Sequence, residues 1–245
     1  MYPRRKAGVP RIDNALIIVG SDEAGYGNWA GPLCVVAVLA PSGWDDPWVR
    51  DSKQITDEKR RALKDRYLND SGFKIVPVLV EAPRIDALGG GYKALLWAHG
   101  EAIRGCVKGL ATKPLVVIDG TLPVDRLGLE GYEILTLPKA DQKVPEVALA
   151  SCIAKTLQVD AMLEADRLYP RYGFSRHKGY GTKEHAAALE RLGPCPIHRT
   201  SYAPIRKALQ TKQPQKLWEV EPAAEEPRGP REGFKQLTEN LLKPT

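Results

Sequence analysis

The chain has 245 residues, 43% of them hydrophobic and 27% charged, with a formal net charge of +6. That length buries a full core in one large domain, or in a domain with an appendage. No apolar run nears the ~20 residues of a membrane span, and the basic N-terminus MYPRRKAGVPR lacks the apolar stretch of a secretion signal.

The first expected element is a strand over residues 16–21, followed by a second over 33–39, both rich in Val, Ile and Leu. A helix is predicted over 57–68 with Thr56 as its N-cap, then a strand over 73–81 and a helix over 92–110. Strands over 115–118 and 132–137 precede a long helix over 144–168. A last helix over 183–192 starts at Thr182, with Glu184 in its first turn. This order predicts an α/β fold, a mixed β-sheet flanked by helices with a helical C-terminal part. Residues 1–210 form the expected catalytic domain. Residues 211–245, Pro-, Glu- and Lys-rich, read as a flexible tail with one short amphipathic stretch at 234–242.

The tail holds six Lys/Arg and six Asp/Glu, so the whole positive excess sits in residues 1–210, where an anionic groove ligand would use it. Cys34, Cys106, Cys152 and Cys195 form no CxxC pair, and three lie in apolar stretches. Free buried thiols in a reducing cytoplasm are expected, without structural zinc.

The stretch GSDEAGYGNWAGP, from Gly20 to Pro32, carries two adjacent acids and then three glycines. Gly25-Tyr26-Gly27-Asn28-Trp29-Ala30 spells G-x-G-x-x-A, but a dinucleotide turn must open a helix. Here Pro32 and a strand follow, and the preceding acids would repel phosphate. What remains is a hairpin with carboxylates at its mouth.

Two more strands run into acids: VIDG ends in Asp119-Gly120, and LTLPKAD reaches Asp141 just before the long helix. Each alone is an ordinary strand-to-turn cap. Three carboxylate-tipped strand ends in one open sheet point to a shared site beyond those ends. Two unit charges ~4 Å apart repel by about 4 kcal/mol at an effective dielectric near 20. A cluster of hard oxygens without thiolate or imidazole suits Mg2+ or Mn2+, and a pair of such ions serves phosphodiester hydrolysis.

GSDEAGYGNWAGP, DSKQIT, VIDG, KADQKVP…ASCIAK, YPRYGFSRHKGYGTKEH and GPCPIHRTSYAP follow one another in the order and rough spacing of type 2 ribonuclease H, ribonuclease HII. The chain resembles that family from about Leu16 to Ala208. The resemblance implies a ribonuclease-H-like sheet and a two-metal endoribonuclease. Its substrates would be RNA in RNA/DNA hybrids and ribonucleotides embedded in duplex DNA. It further implies cutting on the 5′ side of the ribonucleotide at RNA–DNA junctions, leaving 3′-hydroxyl and 5′-phosphate ends.

The family's acid quartet falls on Asp22, Glu23, Asp119 and Asp141. By resemblance, Gly25, Tyr26 and Gly27 detect the ribose 2′-hydroxyl together with Tyr180, whose ring rejects a second hydroxyl by crowding. Ser52 and Lys53 bind phosphate. Ser151 and Lys155, four apart on one helix face, compete between a phosphate role and helix packing. Arg176, His177 and Lys178 form a basic clamp on the backbone. His198 and Arg199 divide evenly between structural hydrogen bonding and substrate contact, while Trp97 and His99 read as core or surface.

Two departures stand out. Tyr26 replaces the arginine usual between the two glycines, and Thr156-Leu-Gln-Val-Asp160 replaces a basic segment. They leave open an alternative, a hybrid-binding protein of impaired catalysis or altered specificity on the same fold. The expected state is a monomer, and QKLWEV in the tail is a faint hint of a sliding-clamp peptide.

Overall fold

The computed structural model describes residues 17–49 and 55–211. Two strands, β1 (Ile18–Ala24) and β2 (Leu33–Leu39), pair antiparallel across the glycine turn. β3 (Lys74–Val80) adds antiparallel to the far side of β2, and tolerates Pro77 because it is an edge strand. β4 (Leu115–Asp119) lies parallel to β1 and β5 (Glu133–Leu137) parallel to β4, giving the order β3-β2-β1-β4-β5.

The sheet is covered on both faces, which is why LCVVAVL reads as one unbroken apolar run. Leu33, Val35 and Ala37 pack with α3 (Gly91–Val107), while Cys34, Val36 and Val38 pack with α4 (Pro145–Leu168). α4 lies between the sheet and α1 (Asp57–Leu68), so most of its surface is buried. Leu63 and Tyr67 of α1 enter that second core beside Trp44 and Phe73. Asp160 of α4 pairs with Arg61 and with Lys64, which ties α1 down. The replacement segment 156–160 thus spends its acid on the scaffold.

α2 (Ala82–Ala87) links β3 to α3. The C-terminal part consists of α5 (Phe174–His177), α6 (Lys183–Leu192) and α7 (Ala203–Thr211). A separate core of Tyr169, Tyr172, Phe174, Leu192, Cys195 and Ile197 packs α5 and α6 on Ala161, Met162 and Ala165 of α4. All four cysteines are buried and free, and burial pushes the Cys34, Cys106 and Cys152 thiols up to about 12. No helix among the described residues is long and apolar enough to cross a membrane.

The expected mixed sheet flanked by helices is what forms, with one correction of consequence. The apolar pattern ends β1 at Ser21, but the strand continues through both acids, because β2 pairs with it as far as Asp22↔Val36, Glu23↔Val35 and Ala24↔Cys34. The caps Thr56 and Thr182 accept from Lys59 N and His185 N as expected. Helices α2, α5 and α7 had no expectation of their own. Residues 212–245, with the QKLWEV and 234–242 segments, lie outside the described residues.

Candidate active site

Because Asp22 and Glu23 are successive residues of a regular strand, they leave opposite faces of the sheet. Asp22 faces α4, where it is buried and bonds the Ser151 hydroxyl. Glu23 faces α3, with its carboxylate 3.4 Å from His99 Nε2. The Asp22 carboxylate also accepts from the Glu23 amide at 2.7 Å. At the adjacent parallel strand end, Asp119 accepts from the Ala140 amide at 2.6 Å, and Asp141 sits buried in the 3-10 turn that follows.

Asp119 is the electrostatic hub of this group. Burial raises its carboxyl above the ordinary range, and the charges of Asp141 and Glu23 add to that. Burial also holds Asp22 well above the usual carboxylate value, with Glu23 and then Asp119 contributing repulsion. Among the described residues no three His, Cys, Asp or Glu side chains form a group that could hold a metal ion. Four hard-oxygen donors whose negative charge is concentrated in this way fit a divalent cation of the Mg2+ or Mn2+ type.

Beside the acids lies a cleft of about 470 Å3 lined by Glu23, Ala24, Gly25, Tyr26, Gly27, Arg60, Ser151, Lys155 and Tyr180. Lys155 Nζ is 3.2 Å from the Tyr180 hydroxyl and lies over its ring, so the cation and the aromatic are offered together on one wall. Gly25 has φ +82°, and a Cβ there would meet Pro32 O at 2.8 Å, so the turn itself demands glycine. Gly27 differs: a Cβ there would meet nothing within 4 Å, and its backbone opens to the cleft. Tyr26 is 40% exposed, and burial with nearby Tyr202 and Tyr92 raises its phenol.

The glycine turn is held by the two C-terminal motifs. Trp29 N donates to Gly179 O at 2.8 Å, Gly31 N to Ile197 O at 2.9 Å, and Arg199 N to Trp29 O at 2.8 Å. The fully buried Arg199 guanidinium donates to Gly31 O and Tyr26 O, and the Tyr202 hydroxyl also donates to Tyr26 O. Arg199 therefore resolves toward the structural alternative.

His198 does the same, within a chain of neutral imidazoles. Cys195 N donates to His198 Nδ1 at 2.9 Å, leaving His198 Nε2–H for His185 Nε2 at 3.0 Å. His185 Nδ1–H then donates to Tyr180 O at 2.9 Å. His177 stacks on His185 with ring centroids 4.3 Å apart. Burial drives His185 down to about 4 and His198 to about 3.

The remaining expected residues scatter. Arg176 is exposed and paired with Glu184, His177 is core, and Lys178 bends back onto Ser175 O; none of the three lines the cleft. Ser52 and Lys53 lie outside the described residues. Two residues that line or underlie the site had no functional expectation. Arg60 belongs to the basic run Lys59–Arg60–Arg61, a visible signal that a helix surface explains equally well. His99 sits alone in an apolar helix, where its sequence neighbours disclose nothing.

The residues 19–205 match the family model described as Ribonuclease HII. The chain is 42% identical over 193 residues to the Ribonuclease HII of a Thermus thermophilus strain, covering 79% of this chain and 89% of that one. Among solved structures, the ribonuclease HII of the PCNA complex from Archaeoglobus fulgidus superposes with TM-score 0.60 at 25% identity, over 75% of this chain and 94% of that one. Bst ribonuclease HIII, solved in complex with Mn2+, gives TM-score 0.62 at 22% identity, over 80% and 70%. Fold, motif order and sequence agreement over most of its length lead to one conclusion: the chain belongs to the ribonuclease HII family.

Proposed function

We propose that this type 2 ribonuclease H is a divalent-metal-dependent endonuclease. It cleaves RNA in RNA/DNA hybrids and ribonucleotides embedded in duplex DNA. The cut falls on the 5′ side of the ribonucleotide at RNA–DNA junctions and leaves 3′-hydroxyl and 5′-phosphate ends. The observation that carries this reading is the juxtaposition of carboxylates that repel one another, Asp22 with Glu23 and Asp119 with Glu23 and Asp141, with a cleft walled by Gly27, Tyr26, Lys155 and Tyr180.

Asp22, Glu23, Asp119 and Asp141 would hold a pair of Mg2+ or Mn2+ ions. When bound, such a pair contributes charge neutralisation at the attacking and leaving oxygens of a phosphodiester. The protein's own groups do the rest. The open backbone at Gly27 and the Gly25 turn meet a ribose 2′-hydroxyl, the group that separates RNA from DNA at a site. The Tyr180 ring packs on the next sugar and leaves no room for a second hydroxyl. Lys155, with Ser151 beside it, receives a phosphate on the same wall, and Ser52 and Lys53 also bind phosphate.

Tyr26 engages substrate chiefly through its backbone, which Arg199 and Tyr202 already hold, so its phenol in place of a guanidinium weakens junction preference more than chemistry. The protein acts as a monomer in the cytoplasm, and the tail beyond Thr211 offers the QKLWEV segment to a replication clamp.

Matched duplexes carrying one or four ribonucleotides test the reading, with and without Mg2+ or Mn2+. Wild type is expected to nick both, and Asp119→Asn to lose activity by on the order of 10³-fold, several kcal/mol of lost charge stabilisation. A folded wild type that binds hybrid and leaves it intact under both metals favours the impaired binding protein instead.

A further inference from the structure

Two of the acids have an oxygen tied by a donor from another element, and the third has a buried imidazole beside it. Asp22 is tied by Ser151 of α4, and Asp119 by the amide of Ala140. For Glu23 the neighbour is His99, in the middle of α3. His99 is 0% exposed, and its Nε2 has no hydrogen-bond partner although it lies 3.4 Å from Glu23 Oε2. A polar group kept in a core without its bond costs stability, where an apolar side chain would cost none. The cost is understandable when the imidazole is aimed at an acid that must be held in place.

The other ring nitrogen defines the donor. His99 Nδ1 is 2.9 Å from the hydroxyl of Ser21, which is also fully buried. Ser21 Oγ has one proton and two acceptors within reach, His99 Nδ1 and Val36 O at 3.1 Å. With that proton on the nearer Nδ1, the neutral ring carries its own hydrogen on Nε2, facing Glu23. Strand alternation makes this possible, because Ser21 and Glu23 share the α3 face of β1.

We infer that His99, aligned by Ser21, is a positioning residue for Glu23: its Nε2–H fixes one carboxylate oxygen and turns the other toward a divalent cation. The inference rests on the metal-site reading above. Partners of this kind change metal affinity by about 10–100-fold when removed.

The test is calorimetric titration of MnCl2 into the apo protein at neutral pH, with thermal melting in chelator to verify the fold. His99→Leu preserves apolar bulk without a donor, and its Mn2+ affinity is expected to fall about tenfold or more while hybrid binding in chelator is unchanged. His99→Gln, whose amide nitrogen reaches the Nε2 position, recovers most of it. Ser21→Ala frees the tautomer and loses a few-fold, which keeps the test decisive if His99→Leu melts without cooperativity.

Wild-type affinity in His99→Leu, or in Ser21→Ala should that variant be the folded one, overturns the positioning role alone. Absence of Mn2+ binding in wild type overturns the metal site beneath it and the positioning role together.

Discussion

The acid end of β1 and β4 and the imidazole chain of the C-terminal part are both buried, polar and within reach of one cleft, yet they are built on opposite terms. Around Cys195, His198, His185 and Tyr180 every donor finds an acceptor, and the tautomers follow one from the next. Around Asp22 and Asp119, burial pushes carboxyl values upward and neighbouring charges of the same sign add to it. On the proposed reading, packing that satisfies itself holds the substrate wall, while packing that leaves charge unrelieved holds the chemistry. A functional site keeps the imbalance that a structural network eliminates.

That contrast breaks most sharply at Asp22. Asp22→Asn keeps an oxygen for the Ser151 and Glu23 bonds but removes a charge from the cluster. Activity is expected to fall by on the order of 10³-fold. In chelator the melting temperature is expected to rise by about 2–4 °C, the shift that ~1 kcal/mol gives in a chain of this size. A variant that loses activity and also melts lower means the acids are structural after all.

Acid acts in the other direction, on the imidazole chain. His185 and His198 are depressed from 6.5 to about 4 and about 3, so the unfolded chain binds more protons below pH 6.5. Their contribution is complete above that pH and is lost as pH falls toward 4, on the order of 3 kcal/mol for His185 alone. Melting followed from pH 7 to pH 4 is expected to drop steeply in wild type and less in His185→Gln. Parallel curves mean the chain carries no linkage.

The smallest effect belongs to the surface of the same region. Arg176 is held by Glu184 in an exposed pair. Glu184→Gln is expected to leave melting unchanged, and to tighten hybrid binding by about twofold at low salt only, as the freed guanidinium meets phosphate.

The sequence disclosed the sheet and four of the seven α-helices among the described residues, and it offered the acid quartet, because each depends on local pattern. An apolar run, a capping threonine, or an acid beside a glycine is visible from its neighbours. α2, α5 and α7 escape such a reading because six, four and nine residues make a weak period. The end of β1 is misplaced by it because Asp22 and Glu23 look like turn residues, whereas the partner strand β2 decides where pairing ends. His99 and Arg199 are illegible for another reason. One imidazole in an apolar helix and one arginine after a histidine acquire meaning only from the strand and turn that the fold brings against them.

The parallel pairing of β1 with β4 has a consequence for how the enzyme is made. Asp22 and Glu23 leave the ribosome early, yet β4 emerges only after β2, β3 and α3 have been synthesised, and Asp141 later still. A truncated or stalled product that ends before β4 therefore has half the acids and no place for them to meet. On the proposed reading the cutting apparatus is completed late in translation, and an unfinished polypeptide is expected to leave the nucleic acids around it uncut.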